Sequence, residues 1–210
     1  GTGMMVIVTA NLLIYSLILT LVYFTFRTAW GKLGAFAASS VFISVFSFSQ
    51  LIRCGNFNFA APYSHEILHG TLVILITTMI AARWCQEPCS KLAFLLGLGG
   101  GLASVLKPEF MLAGGVLGIA ALSLRRLRRL PIHFREIIWV IVGLILPTVV
   151  FTLWFAQTES WQTAFTNAGQ AWWQIFAEQS HHGAFQQNAI GMNNPLQNIF
   201  FQIGATAAAI

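Results

Sequence analysis

The sequence predicts an all-α, polytopic transmembrane bundle of about six spans with a truncated seventh, and three observations lead there. Hydrophobic residues fill 57% of the 210 positions and charged residues only 8%, whereas about a quarter of a soluble domain is charged. The apolar residues fall in a succession of long runs, several close to the ~20 residues that a helix needs to cross a bilayer. The basic residues are gathered in short stretches between those runs. That is the pattern that orients membrane proteins, not the face of a nucleic-acid binder, so lipid is the expected partner and nucleic acid is not.

The first run, 4–26, ends at Arg27, and Arg27 to Lys32 bracket a turn that contains Gly31. Residues 33–52 form a second run rich in Phe, Ser and Ala, small enough in places for close helix packing. A polar and aromatic stretch follows, with Pro62 marking a helix start just beyond it. The third run is 67–82. After a loop with Pro88 come two shorter runs, 92–106 and 110–124, each thin for a span. They read either as short helices or as a re-entrant pair meeting at Lys107-Pro108-Glu109, which is allowed where backbone lines a cavity. The Gly97-x-Gly99-Gly100-Gly101 cluster in the first of them has no preceding strand, so it reads as a tight helix contact and not as a nucleotide loop. Arg125 to Glu136 carries five arginines and is expected at a cytoplasmic surface. Residues 137–155 span again, with Pro147 predicting a kink. Residues 157–195 are polar, and a last run begins at 198.

Within that polar stretch, Trp161, Ala164, Phe165, Ala168, Trp172, Ile175 and Phe176 share one helical face. The pattern predicts an amphipathic helix, lying in the membrane interface or packed on the bundle. The chain lacks a charged n-region followed by an apolar h-region, so no signal peptide is read. It stops inside the apolar run Ala207 to Ile210, and the expectation is a single transmembrane domain, 1–210, cut from a longer protein.

Orientation follows from charge. Alternating the runs with the arginine cluster inside leaves Arg53 and Lys107 as the outer cations and gathers Arg27, Lys32, Arg83, Lys91 and the 125–135 arginines inside, a strong positive-inside bias. The residues 56–70, Lys107 to Glu109, and 157–195 are thereby expected on one extracytoplasmic face. Ionisable groups at the edge of a membrane segment are costly to keep there and mark a candidate site.

Two chemistries compete for it. His65-Glu66-Ile67-Leu68-His69 is formally His-Glu-x-x-His, which on a helix sets two imidazoles one turn apart for zinc with Glu66 as base, the arrangement a membrane-embedded zinc metalloprotease would use. A third ligand is needed. All six acidic residues are Glu, so any motif that requires Asp is excluded, and His181, His182, Glu109 or Glu178 would have to serve. Cys85 and Cys89, in one loop without nearby histidines, read as free thiols. A third reading gives the chain no chemistry, as a transporter or scaffold subunit in which these residues only cap a span.

Asn56-Phe57-Asn58-Phe59 with Pro62-Tyr63-Ser64-His65-Glu66 and His69-Gly70, followed by Leu106-Lys107-Pro108-Glu109-Phe110-Met111-Leu112-Ala113 after a Gly-rich run, resembles segments of bacterial GT-C-type integral-membrane glycosyltransferases, the superfamily of the protein mannosyltransferases. The resemblance covers residues 56 to 113. It implies a helical bundle in the bacterial cytoplasmic membrane with its site facing outward. The donor would be a sugar on polyprenyl phosphate, with no other cofactor expected and no metal assigned. The chemistry of such a transfer needs an outer cation for the phosphate and a base for the acceptor hydroxyl, so Glu66 and His65 are expected in catalytic roles and Arg53, Asn58, Tyr63, His69, Lys107 and Glu109 in substrate contacts. The carboxylate such enzymes carry as Asp near the first span has no counterpart in these residues. The sugar, the acceptor and the oligomeric state are left open.

Overall fold

A computed structural model describes residues 3–47, 65–169, 197 and 200. The chain forms two compact units, 1–173 and 174–210; in the second, Gln197 and Phe200 are described, both helical. In the first unit every described element is a helix.

Helix α1 (Met4–Val41) is not one rod. Trp30 and Gly31 leave helical geometry, Gly31 at φ 71°, a left-handed conformation that costs glycine nothing and other residues a Cβ clash. In an unbroken helix Tyr15 and Phe42 would lie about 40 Å apart at 1.5 Å per residue. Their rings instead stack with centroids 5.9 Å apart, so α1 is a hairpin of two arms, 4–29 and 32–41, the second running on as a π-helical turn, Phe42–Ser47. The turn falls where Gly31 predicts it. Ile18 and Val22 of the first arm bury against Leu68 of α2 (His65–Trp84).

The remaining elements are α3 (Ser90–Leu106), α4 (Pro108–Leu127), α5 (Phe134–Phe155) and α6 (Trp161–Ala168). Lys107 alone is extended between α3 and α4, at φ −156°, ψ 152°, because the residue before a proline is pushed out of the helical region. A Cβ at Gly114 would lie 3.6 Å from Gly100 Cα, and Ala93 shares a buried cluster with Ala121. Both pairs are symmetric about Lys107, so α3 and α4 form an antiparallel hairpin. Their helices are longer than the two thin runs that the sequence suggests.

Glycines bring α5 against α3. A Cβ at Gly97 would sit 2.0 Å from the Val140 carbonyl oxygen, one at Gly101 2.4 Å from that of Leu144, and one at Gly143 2.3 Å from that of Phe94. Matching four-residue steps on the two helices mean that they run parallel, backbone on backbone, as small residues allow in a membrane. Pro147 packs beside Gly101, and α5 continues through it as one helix. In α2, Gly70 lies under the Phe110 ring and Ile74 beside Gly114, so α2 runs parallel to α4. The bundle of α2 to α5 therefore alternates in direction. One end carries Glu66 and Lys107, and the other carries Trp84, Ser90 and the arginines.

Among the described residues four stretches are long and apolar enough to cross a membrane, Met5–Ser44, Glu66–Trp84, Pro108–Leu127 and Phe134–Phe155, and the first is the hairpin. Leu112, Val116 and Ile119 line one face of α4 at 63–68% exposure, a stripe that suits lipid and not water. Helix α6 is short and docks on α5 through Ala164 and Ala168, leaving Trp161 and Phe165 exposed. Of the predicted amphipathic face, Trp172, Ile175 and Phe176 lie outside the described residues.

Candidate functional site

At the Lys107 end, α2 begins with His65 and Glu66 while the α3–α4 hairpin turns over. The Phe110 ring is seated on Gly70, where any side chain would collide with it at 2.1 Å. That contact holds the first turns of α2 and α4 together. It brings Lys107 Nζ to 3.9 Å from Glu66 Oε2, with the side chains 34% and 53% exposed. The pair is wet enough to open for a ligand, since exposed ion pairs contribute only about 0–1 kcal/mol.

Glu109 is exposed in the first turn of α4 and His69 exposed one turn into α2. His65 sits in the first turn of α2, so the two histidines keep the one-turn spacing the zinc motif requires. Among the described residues no group of three or more His, Cys, Asp or Glu side chains stands together to hold a metal. Arg53, Asn58 and Tyr63 lie outside the described residues, as do His181, His182 and Glu178.

The sequence did not disclose a groove on the bundle. Helices α4 and α5 both pack on α3 and leave between them a groove of about 600 Å³. Ser104 and Met111, which flank Lys107 in the chain, line one end with Thr148 and Phe165; Trp84, Leu122 and Ile137 line the other. Along α4 the groove runs from Met111 to Leu122, about 17 Å, more than half of a ~30 Å hydrocarbon layer. Gly100, Gly114, Gly115 and Gly118 form its floor and wall. The four-residue repeat of Gly114 and Gly118 is the signal that could have marked it, yet the same repeat serves helix contacts equally well.

A second charged cluster corrects the sequence reading. Arg125 is not at a surface: it is fully buried. Its Nη1 donates to Glu136 Oε2 at 2.5 Å and its Nη2 to the Pro131 carbonyl. Its guanidinium lies over the Trp84 ring, 4.2 Å from the centroid. The other arginines of the stretch, Arg126, Arg128, Arg129 and Arg135, are exposed as expected. Next to this cluster the buried Cys85 thiol donates to the Ala121 carbonyl at 3.5 Å. Burial raises the pKa of Cys85, with Arg125 and Arg128 pulling it partly back.

Compared with protein-family models, with characterised proteins and with solved structures, the chain matches none.

Proposed function

We propose that this chain belongs to a membrane glycosyltransferase of the GT-C type, transferring a sugar from a polyprenyl-phosphate donor to an acceptor hydroxyl on the extracytoplasmic face. The observation that carries the reading is the Lys107–Glu66 pair at the end of an apolar groove bounded there by Ser104 and Met111. A long hydrocarbon chain joined to a phosphate needs a dry slot and a cation near its end, and on this reading Lys107, which lies in the chain between the groove-lining Ser104 and Met111, is that cation. The motif resemblance over residues 56 to 113 and the asymmetry of charge between the two ends support the same reading. On it the two α1 arms and α2 to α5 make six crossings, with a seventh beginning at 198.

The chemistry divides between the two side chains. Lys107 leaves Glu66 and neutralises the donor phosphate, which stabilises it as a leaving group. The acceptor oxygen attacks the anomeric carbon as the carbon–oxygen bond to phosphate breaks. Glu66, released from its cation, takes the hydroxyl proton, and polyprenyl phosphate departs. His69 and Glu109, exposed near the starts of α2 and α4, are assigned to the substrate, and His65, Arg53, Asn58 and Tyr63 complete the proposed set of donor and acceptor contacts.

A polyprenyl phosphate with a photoreactive group on its first isoprene unit tests this in proteoliposomes. Crosslinks are expected on residues 104–118 and are reduced by unlabelled sugar-linked donor. Crosslinks confined to the α1 hairpin, or insensitive to competitor, would overturn the reading.

A further inference from the structure

At the opposite end of the bundle, the parallel packing of α3 and α5 aligns their first two turns. A crevice of about 260 Å³ opens there, lined by Ser90, Lys91 and Phe94 of α3 and by Arg135 and Trp139 of α5. Both described carboxylates at this end are already engaged. Glu87 pairs with Arg83 at 3.7 Å, and Glu136 is held by the buried Arg125. Lys91 and Arg135 therefore share one crevice with no carboxylate partner among the described residues. Two like charges brought together without a counter-charge repel, and an anion between them removes that penalty.

The walls specify what kind of anion. Phe94 and Trp139 meet edge to face, centroids 5.9 Å apart, with Trp139 38% exposed. A tryptophan at the end of a spanning helix sits at headgroup level, its ring against acyl chains and its N–H toward water. Ile138, Ile141 and Val142 add to the exposed apolar surface of α5 around it. A free phosphate would use the cations and gain nothing from this surface. A lipid uses both.

We propose that Lys91, Arg135, Ser90 and Trp139 form a binding site for the headgroup of an anionic phospholipid, its phosphodiester between the two cations and an acyl chain along Phe94 and Trp139. Basic pockets between membrane helices recognise headgroups in this way. The Ser90 hydroxyl, in the first turn of α3, adds a donor to the phosphate oxygens. Occupancy ties the start of α3 to the start of α5 and so steadies two of the helices that bound the groove. The site is separate from the Lys107 end and stands whether or not the transferase reading does.

Titrating phosphatidylglycerol or phosphatidylcholine into the full chain in detergent, with bound lipid counted by native mass spectrometry, tests the site. The wild type is expected to retain one phosphatidylglycerol in clear preference to phosphatidylcholine. Lys91→Gln with Arg135→Gln should weaken that binding roughly thirtyfold, each cation near the surface supplying about a fivefold factor. Arg126→Gln with Arg128→Gln, which removes the same charge from the same end, should change it far less. Lys91→Arg with Arg135→Lys should keep it, which separates a lost site from a lost fold. Equal weakening by the two neutralising pairs would mean diffuse attraction only and would overturn the site. Displacement of the lipid by equimolar glycerol 3-phosphate would make it a soluble-phosphate site and overturn the lipid assignment.

Discussion

Lys107 Nζ stands 3.9 Å from Glu66 Oε2, linking the joint of the α3–α4 hairpin to the first turn of α2. Pro108 forces Lys107 into extended backbone and so lifts it out of both helices. The Phe110 ring against the bare backbone of Gly70 sets the distance. A cation and a carboxylate at a half-wet boundary hold each other weakly, which leaves the lysine available to a stronger anion.

Lys107→Ala should therefore weaken binding of polyprenyl phosphate on the order of tenfold or more, the size of a charge-assisted hydrogen bond, while Lys107→Arg keeps most of it. Thermal stability should move by less than about 1 kcal/mol, because the pair is exposed. Equilibrium binding in nanodiscs decides between these outcomes. Unchanged affinity in Lys107→Ala would remove Lys107 from the phosphate site.

The buried pair at the other end should behave in the opposite manner. Arg125→Ala leaves the Glu136 carboxylate buried with no cation and should cost about 3–5 kcal/mol. Replacing both, Arg125→Met with Glu136→Leu, should recover much of the loss, since an apolar pair of similar volume avoids desolvation altogether. Unfolding in mild detergent measures both. If the double variant is no more stable than Arg125→Ala, the penalty lies in lost contact with Trp84 and Pro131 and not in the orphaned carboxylate.

Features set by neighbours in sequence were legible before the structure. Gly31 between Arg27 and Lys32 marks a turn; Lys107 before Pro108 marks a break; the glycines at 97, 99 and 101 mark a close helix contact. Each rests on local backbone chemistry. Arg125 was not legible, because its burial depends on Glu136 returning across the 128–133 turn and on Trp84 arriving from α2. Nothing distinguishes it in sequence from Arg126. The groove was equally hidden: it exists because α4 and α5 dock on two sides of α3, a register set by contacts far apart in the chain. Helix α6 divides within its predicted apolar face for a related reason. Ala164 and Ala168 of that face are buried while Trp161 and Phe165 of the same face stay exposed, a split that depends on where α5 lies and not on the apolar pattern.

The two described cysteines should differ sharply in reactivity. Cys89 is exposed and Cys85 buried, so in a Cys54→Ser background maleimide should modify Cys89 within minutes and Cys85 only after unfolding. The raised pKa of Cys85 also has a sign in stability. Folding favours its protonated form, so its contribution is complete below the ordinary thiol value and is lost as pH rises through the raised one. The wild type should thus lose more thermal stability than Cys85→Ala does as the pH climbs above about 9. Equal labelling of both thiols in the folded protein would contradict the burial of Cys85.

The glycines offer the sharpest separation of fold from function, because they do different things a few residues apart. A Cβ at Gly97 would meet the Val140 carbonyl oxygen at 2.0 Å, whereas one at Gly115 would meet nothing within 4 Å. Gly97→Ala should force α3 and α5 apart and destabilise by about 1–3 kcal/mol, the usual cost of overpacking. Gly115→Ala should be neutral or stabilising by up to about 1 kcal/mol, as alanine is the better helix former. Gly115 lines the groove, so Gly115→Leu puts a branched side chain where a lipid chain would lie without touching the α3–α5 contact. Its melting temperature should match that of Gly115→Ala, while polyprenyl-phosphate crosslinking to residues 104–118 falls severalfold. If Gly115→Leu crosslinks as well as the wild type, the groove does not hold the chain. If it melts with Gly97→Ala, the groove wall is a packing contact and not an open slot.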